Sequence, residues 1–146
     1  MLQFNEKGLL FPPQNILSDL DEFEKHFVFN QHREALFQKY LSYLIDLQLI
    51  GIGDFIQWID GSFVTKKKMP NDIDIVTFIA ADFYNLYQQE LIDLNKKYQG
   101  LDFYYIKDFP LDHPKQMIGD FDRKEWLFLF STDRKKQNKG FIELKF

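Results

Sequence analysis

Residues 56–79 read IQWIDGSFVTKKKMPNDIDIVTFI, and this stretch decides the fold. Two apolar runs flank a Gly61-Ser62 turn, a lysine cluster at Lys66, Lys67 and Lys68, and a pair of acids spaced Asp72-Ile73-Asp74. The runs at 55–59 and 73–79 predict two strands. In a strand, residues two apart point to the same face. Asp72 and Asp74 are therefore expected to project together, with Ile73 and Ile75 on the other side. Side-by-side carboxylates repel unless something neutralises them. A divalent cation is the natural neutraliser, and Mg²⁺ takes hard oxygen ligands and fills its shell with phosphate oxygens.

A third carboxylate on a neighbouring strand would complete a site in which two metals sit ~3.5–4 Å apart. Asp102, between Leu101 and Phe103 in a later predicted strand, is the candidate, and Asp60 just before the turn is a second one. Gly61 lets backbone approach a ligand closely, and amides in a tight turn cradle phosphate. The Ser62 hydroxyl can donate to a phosphate oxygen. An ammonium of Lys66, Lys67 or Lys68 on the following loop can reach the same triphosphate. Each feature alone has an ordinary explanation: a solvated strand end, a common turn, an exposed basic loop. Their order carries the weight. It runs strand, Gly-Ser, nine residues, Asp-x-Asp entering a strand, helix, then a strand with an embedded acid.

That order resembles the DNA polymerase beta-like nucleotidyltransferase superfamily, whose signature is an apolar strand ending in Gly-Ser or Gly-Gly, a spacer, and two acids separated by an apolar residue. A third acid stands on a later strand. A further likeness covers nearly the whole chain, to a bacterial family of minimal nucleotidyltransferase-like domains. It rests on Gly8-Leu9-Leu10-Phe11-Pro12-Pro13 with Leu20-Asp21-Glu22-Phe23, on Trp58-Ile59-Asp60-Gly61-Ser62-Phe63-Val64-Thr65 with Pro70-Asn71-Asp72-Ile73-Asp74, and on Lys139-Gly140-Phe141-Ile142-Glu143. The resemblance implies a small mixed sheet with helices packed on it. It also implies that Ser62 holds the triphosphate of an NTP, that Asp72 and Asp74 bind Mg²⁺, and that Asp102 is the third acid. Full-sized members usually carry a further helical domain for the base or acceptor, and this chain has little room for one. Activity would then call for an oligomer or a partner protein, or would have been lost.

Outward from this stretch the chain reads as support. Residues 1–16 are expected to form an extended arm, interrupted by Pro12-Pro13. Ser18 reads as the N-cap of a helix to about residue 27, and Asn30 as the cap of a longer one ended by Gly51. The spacing of Tyr84, Tyr87, Leu91, Leu94 and Tyr98 predicts a helix over 81–98. A strand at 101–106, a loop over 108–120, a short helix at 122–130 and a strand at 141–146 complete the order. This is an α/β (α+β) chain with helices expected on one face of a small sheet. No linker divides it, so one domain over 1–146 is expected.

The 146 residues carry net charge −4 and no cysteine, which excludes disulfides, thiolate catalysis and cysteine-zinc sites. Acidity argues against a general polyanion-binding surface, so nucleic acid enters only as an acceptor. No apolar run is long enough for a membrane span, and no secretory leader is legible; a cytoplasmic protein is expected. His26, His32 and His113 lack metal spacing and read as surface or capping residues. Trp58 and Trp126 read as core, with base stacking the alternative, and Arg123, Arg134 and Lys139 as a solvated basic face, with positive charge for a phosphate the alternative.

Two functions fit. The first is an enzyme moving an NMP from an NTP to a hydroxyl on a protein, nucleic acid or small molecule. The second is a non-catalytic interaction module. Minimal members of the superfamily occur in toxin–antitoxin and phage-defence pairs, so the resemblance implies a toxin-like protein partner or a homo-oligomer.

Overall fold

The computed structural model describes residues 2–146. The chain opens with a hairpin of β1 (Gln3–Phe4) and β2 (Leu10–Phe11). It then runs β3 (Asn15–Leu17), α1 (Leu20–Phe27), α2 (Gln31–Ile50), β4 (Ile56–Asp60) and a 3₁₀ turn at Ser62–Val64. After it come β5 (Ile73–Ala80), α3 (Ala81–Lys97), β6 (Leu101–Asp108), α4 (Gln116–Phe130) and β7 (Phe141–Lys145). The main sheet is mixed and has the order β3-β7-β4-β5-β6. β4 lies antiparallel to both neighbours, β5 and β7, while β5 and β6 are parallel and joined through α3. A parallel pair needs such a crossover, and α3 supplies it.

β5 reads as one apolar run because both of its faces are covered. Ile73, Ile75 and Ile79 join the larger core with α1, α2 and α3. Val76 and Phe78 point the other way and pack with Trp58, Ile106, Phe141 and Phe130 of α4. Helices therefore occupy both faces, not one. The departure comes from α4, whose Phe130 is buried against Phe141. The larger core is dense in aromatics: Phe23 of α1 stacks on Phe63 of the 3₁₀ turn at 5.8 Å and meets Phe27, Phe37 and Tyr40. A buried aromatic or aliphatic side chain stabilises by about 1.5–3 kcal/mol, so this cluster anchors the turn to α1 and α2.

Two expected boundaries move. The N-cap of α1 is Asp19, not Ser18: Asp19 accepts from the Glu22 amide at 2.8 Å. Ser18 instead donates its backbone N–H to Glu143 of β7, which extends the β3 pairing by one residue. α4 begins at Gln116, six residues before the expected start at 122. Pro114 stands just ahead of the first helical residue, where it obstructs no helical bond. The expected extended arm instead folds back as the β1–β2 hairpin, and its end joins the main sheet as β3, parallel to β7; Met1 lies outside the described residues. α2 is capped by Asn30 and ends at Gly51, which has φ +92°, as the sequence predicts.

Candidate active site at the β4–β5 turn

The sheet register brings the acids together. Asp60, the last residue of β4, pairs with Asp74 of β5, and Asp74 pairs with Asp102 of β6. Strand alternation puts these three on the α4 side, because Trp58, Val76 and Ile106 on the same strands at even spacing pack there. Asp72 stands just before β5. Asp72, Asp74 and Asp102 each offer a carboxylate oxygen, and these oxygens all lie within 4.8 Å of one another. The three acids converge, so they do not form the splayed, solvated edge that acids at strand ends often make.

Burial pushes Asp74 up to about 7, helped by the carboxylates of Asp72, Asp102 and Asp60. Burial and Asp102 raise Asp72 as well, against the pull of Arg134 and Lys67. Such a cluster is short of positive charge. Its donors are carboxylate oxygens, the hard ligands that Mg²⁺ takes, and their spacing suits one cation shared among them. The residues present therefore fit a divalent cation, with Asp72, Asp74 and Asp102 to hold it.

Asp60 is differently employed. It is 6% exposed and accepts from the Lys139 ammonium, which also donates to the Phe130 carbonyl at 3.0 Å. Burial raises Asp60 to about 6 despite Lys139. Lys139 is thus a buried partner at the edge of β7, not part of a solvated basic face.

Gly61 makes the turn possible. It has φ +78° and ψ −167°, a region essentially reserved for glycine, and a Cβ there would run into the Asp74 carboxylate. Ser62 follows at the start of the 3₁₀ turn. A cleft of about 760 Å³ opens over this turn, lined by Gly61, Ser62, Thr65, Asp60, Asp72 and Asp74 on one side. Lys7, Lys67, Arg134, Lys135 and Lys139 line it as well.

Of the loop lysines, Lys67 faces the cleft. Lys66 does not line it; its ammonium sits 4.2 Å from the Phe4 ring centroid. Lys68 does not line it either, and its carbonyl accepts from Asn30 Nδ2 at 2.7 Å. Arg123 lies elsewhere, over the Phe78 ring and 3.6 Å from Asp108. Trp58 is buried and donates to Glu143 at 2.9 Å, while Trp126 is partly buried and packs on Tyr104. His32 bonds the Pro70 carbonyl, and His113 accepts from the Lys115 amide.

Residues beyond the motif also shape the cleft. Lys7 reaches it from the N-terminal hairpin, which docks where Leu9 bridges to Thr65. Arg134 and Lys135 reach it from a turn that Asp133 holds by accepting from the Lys135 and Gln137 amides. Arg33 of α2 is fully buried; its guanidinium hydrogen-bonds to main-chain carbonyls, chiefly those of residues 62–67, and lies over the Phe29 and Phe63 rings. Burial lowers it to about 10, so it stays charged at neutral pH. A basic residue at the third position of a helix carries no local signal for such a role.

The fold and the site together define a mixed α/β chain with a carboxylate cluster in a basic-walled cleft. The chain belongs to the family of unknown function DUF6932, whose model matches residues 2–145. No curated protein and no solved structure matches it significantly. Among the described residues, no helix is long and apolar enough to cross a membrane.

Proposed function

We propose that the protein is a Mg²⁺-dependent nucleotidyltransferase that moves an NMP from an NTP to a hydroxyl acceptor. One observation carries the proposal: the oxygens of Asp72, Asp74 and Asp102 lie within 4.8 Å of one another, beside the Gly61-Ser62 turn. Bound Mg²⁺ would draw charge from the phosphoryl oxygens and align the attacking and leaving groups. Ser62 and its turn would hold the triphosphate, with Lys67 and Arg134 supplying positive charge to it. Asp102 is exposed on the outer strand β6, and there it would meet the acceptor. In the transfer, the acceptor oxygen bonds to the α-phosphorus and the bond from that phosphorus to its bridging oxygen breaks. Pyrophosphate leaves, and the hydroxyl proton passes to the Asp102 carboxylate.

Titration calorimetry with Mg²⁺ and a non-hydrolysable NTP tests the proposal. Wild type is expected to bind, and Asp72→Asn combined with Asp74→Asn to abolish binding while circular dichroism stays unchanged. Equal binding by both proteins would refute the assignment.

A non-catalytic interaction module is the second reading, favoured by the outer face of α4. Met117, Ile118, Phe121, Phe128 and Leu129 are exposed there and follow helical spacing along one stripe. Failure of wild type to bind any Mg²⁺-NTP at millimolar concentration would favour the module over the enzyme.

A further inference from the structure

We propose that Arg33 is a positioning residue for the anion-binding side of the Gly61-Ser62 turn. The inference rests on the nucleotidyltransferase proposal for the identity of the anion, a triphosphate or pyrophosphate. Arg33 has no exposed surface. Its guanidinium donates to the carbonyls of Ser62 at 3.3 Å, Phe63 at 2.6 Å, Thr65 at 2.9 Å and Lys67 at 2.5 and 3.0 Å. A further bond reaches the Phe27 carbonyl at 2.8 Å. None of these partners is a carboxylate. The guanidinium also lies over the Phe29 and Phe63 rings, at 4.3 and 4.9 Å from their centroids. Buried charges are ordinarily paired with an opposite charge, so a cation held by carbonyl dipoles and ring faces with no carboxylate is a built feature.

The arrangement has two consequences for the cleft. First, it fixes the shape of the loop. Four carbonyls between residues 62 and 67 are drawn to one point, and Thr65 Oγ1 adds a bond to the Ser62 carbonyl at 2.6 Å. Asn30 and His32 at the same helix start tie down the Lys68 and Pro70 carbonyls. Second, it sets the sign of the field. A trans peptide points its N–H opposite to its C=O. Carbonyls turned toward Arg33 aim the N–H ends of their peptides away from it, with a full positive charge behind them; two of these N–H groups, of Val64 and Lys66, are met by the Gly61 and Gly8 carbonyls at 3.3 and 3.1 Å. The far side of this loop lines the cleft through Gly61, Ser62, Thr65 and Lys67. Arg33 thus shapes one wall of the cleft and sets a positive charge behind it, which favours phosphate without touching the ligand. Lysine cannot replace it, because an ammonium lacks the five-donor planar fork that spans these carbonyls.

The test compares wild type, Arg33→Lys and Thr65→Val as full chains, by calorimetry with Mg²⁺ alone and with inorganic pyrophosphate in the presence of Mg²⁺. Thr65→Val loosens the same loop while leaving the buried charge in place, and it stands in if Arg33→Lys fails to fold. The expected result is a loss of pyrophosphate affinity of about tenfold in Arg33→Lys, with a smaller loss in Thr65→Val. Mg²⁺ affinity should stay within about twofold in both, since the acids are untouched. A general structural defect would weaken both ligands together and would overturn the inference. So would unchanged pyrophosphate binding in folded Arg33→Lys, or in Thr65→Val where that variant stands in, or no pyrophosphate binding by wild type. Arg33-dependent binding without any NMP transfer would leave the inference standing and remove the proposed reaction instead.

Discussion

The Asp60 carboxylate, at the end of β4, is bound by the Lys139 ammonium at the approach to β7, a pair formed between residues 79 apart in sequence and almost entirely shielded from solvent. Asp60 neighbours Asp74 across the β4–β5 ladder. Lys139 therefore neutralises the most deeply buried acid of the row. The remaining three, Asp72, Asp74 and Asp102, form the cluster that could hold a cation.

Removing Lys139 tests this division of labour. Lys139→Met leaves a buried carboxylate without its partner, a change that typically costs about 3–5 kcal/mol. The loss is expected in full at pH 8 and to shrink at pH 5, where Asp60 can take up a proton and become neutral. Urea unfolding at the two pH values measures it. An equal loss at both would show that packing, not charge, is what Lys139 contributes.

Stability should also follow the acid cluster itself. Folding raises Asp74 to about 7 and Asp60 to about 6, from 3.8. Between those limits the native chain holds more protons than the unfolded one, so stability falls as pH rises from about 4 to about 7. Millimolar Mg²⁺ is expected to lift the thermal midpoint most at the upper end, because it binds the deprotonated native cluster. Scans against pH with chelator or with Mg²⁺ test both statements. A flat profile in chelator would contradict the first.

Gly61→Ala should be severe for a change of one methyl group. The backbone at φ +78° and ψ −167° costs a non-glycine residue about 1–3 kcal/mol, and the new Cβ would press on Asp74. We expect a lower unfolding midpoint together with weakened Mg²⁺ binding. Loss of stability with metal affinity intact would mean that the turn and the acids are uncoupled.

Much of this site was legible in residues 56–79 because its logic is local. Alternation decides which acids share a face, and Gly-Ser announces the turn. Asp102 was legible for a related reason: α3 has clear helical spacing, so the next strand falls beside β5. What stayed hidden depends on contacts far apart in sequence. Lys139 looked like one of several exposed lysines, and only the β4–β7 pairing buries it against Asp60. Lys7 enters through a hairpin docked near Thr65, and Arg33 through a helix start folded against the loop. Three consecutive lysines could not be told apart by composition. The local backbone sends Lys66 toward Phe4 and Lys67 toward the cleft. The helix placement failed for the same kind of reason: α4 returns the chain from the edge strand β6 across β5 and β4 to β7, the reverse of the α3 crossover, and a right-handed return falls on the opposite face.

The most direct measurement is transfer of label from an α-³²P-labelled NTP to cell-extract acceptors, with Mg²⁺ or with chelator. Wild type is expected to transfer label only with Mg²⁺, and Asp72→Asn combined with Asp74→Asn to lose transfer while keeping its fold. Transfer that persists undiminished in the folded double variant, or a wild type that transfers no label from any of the four NTPs, would contradict the account.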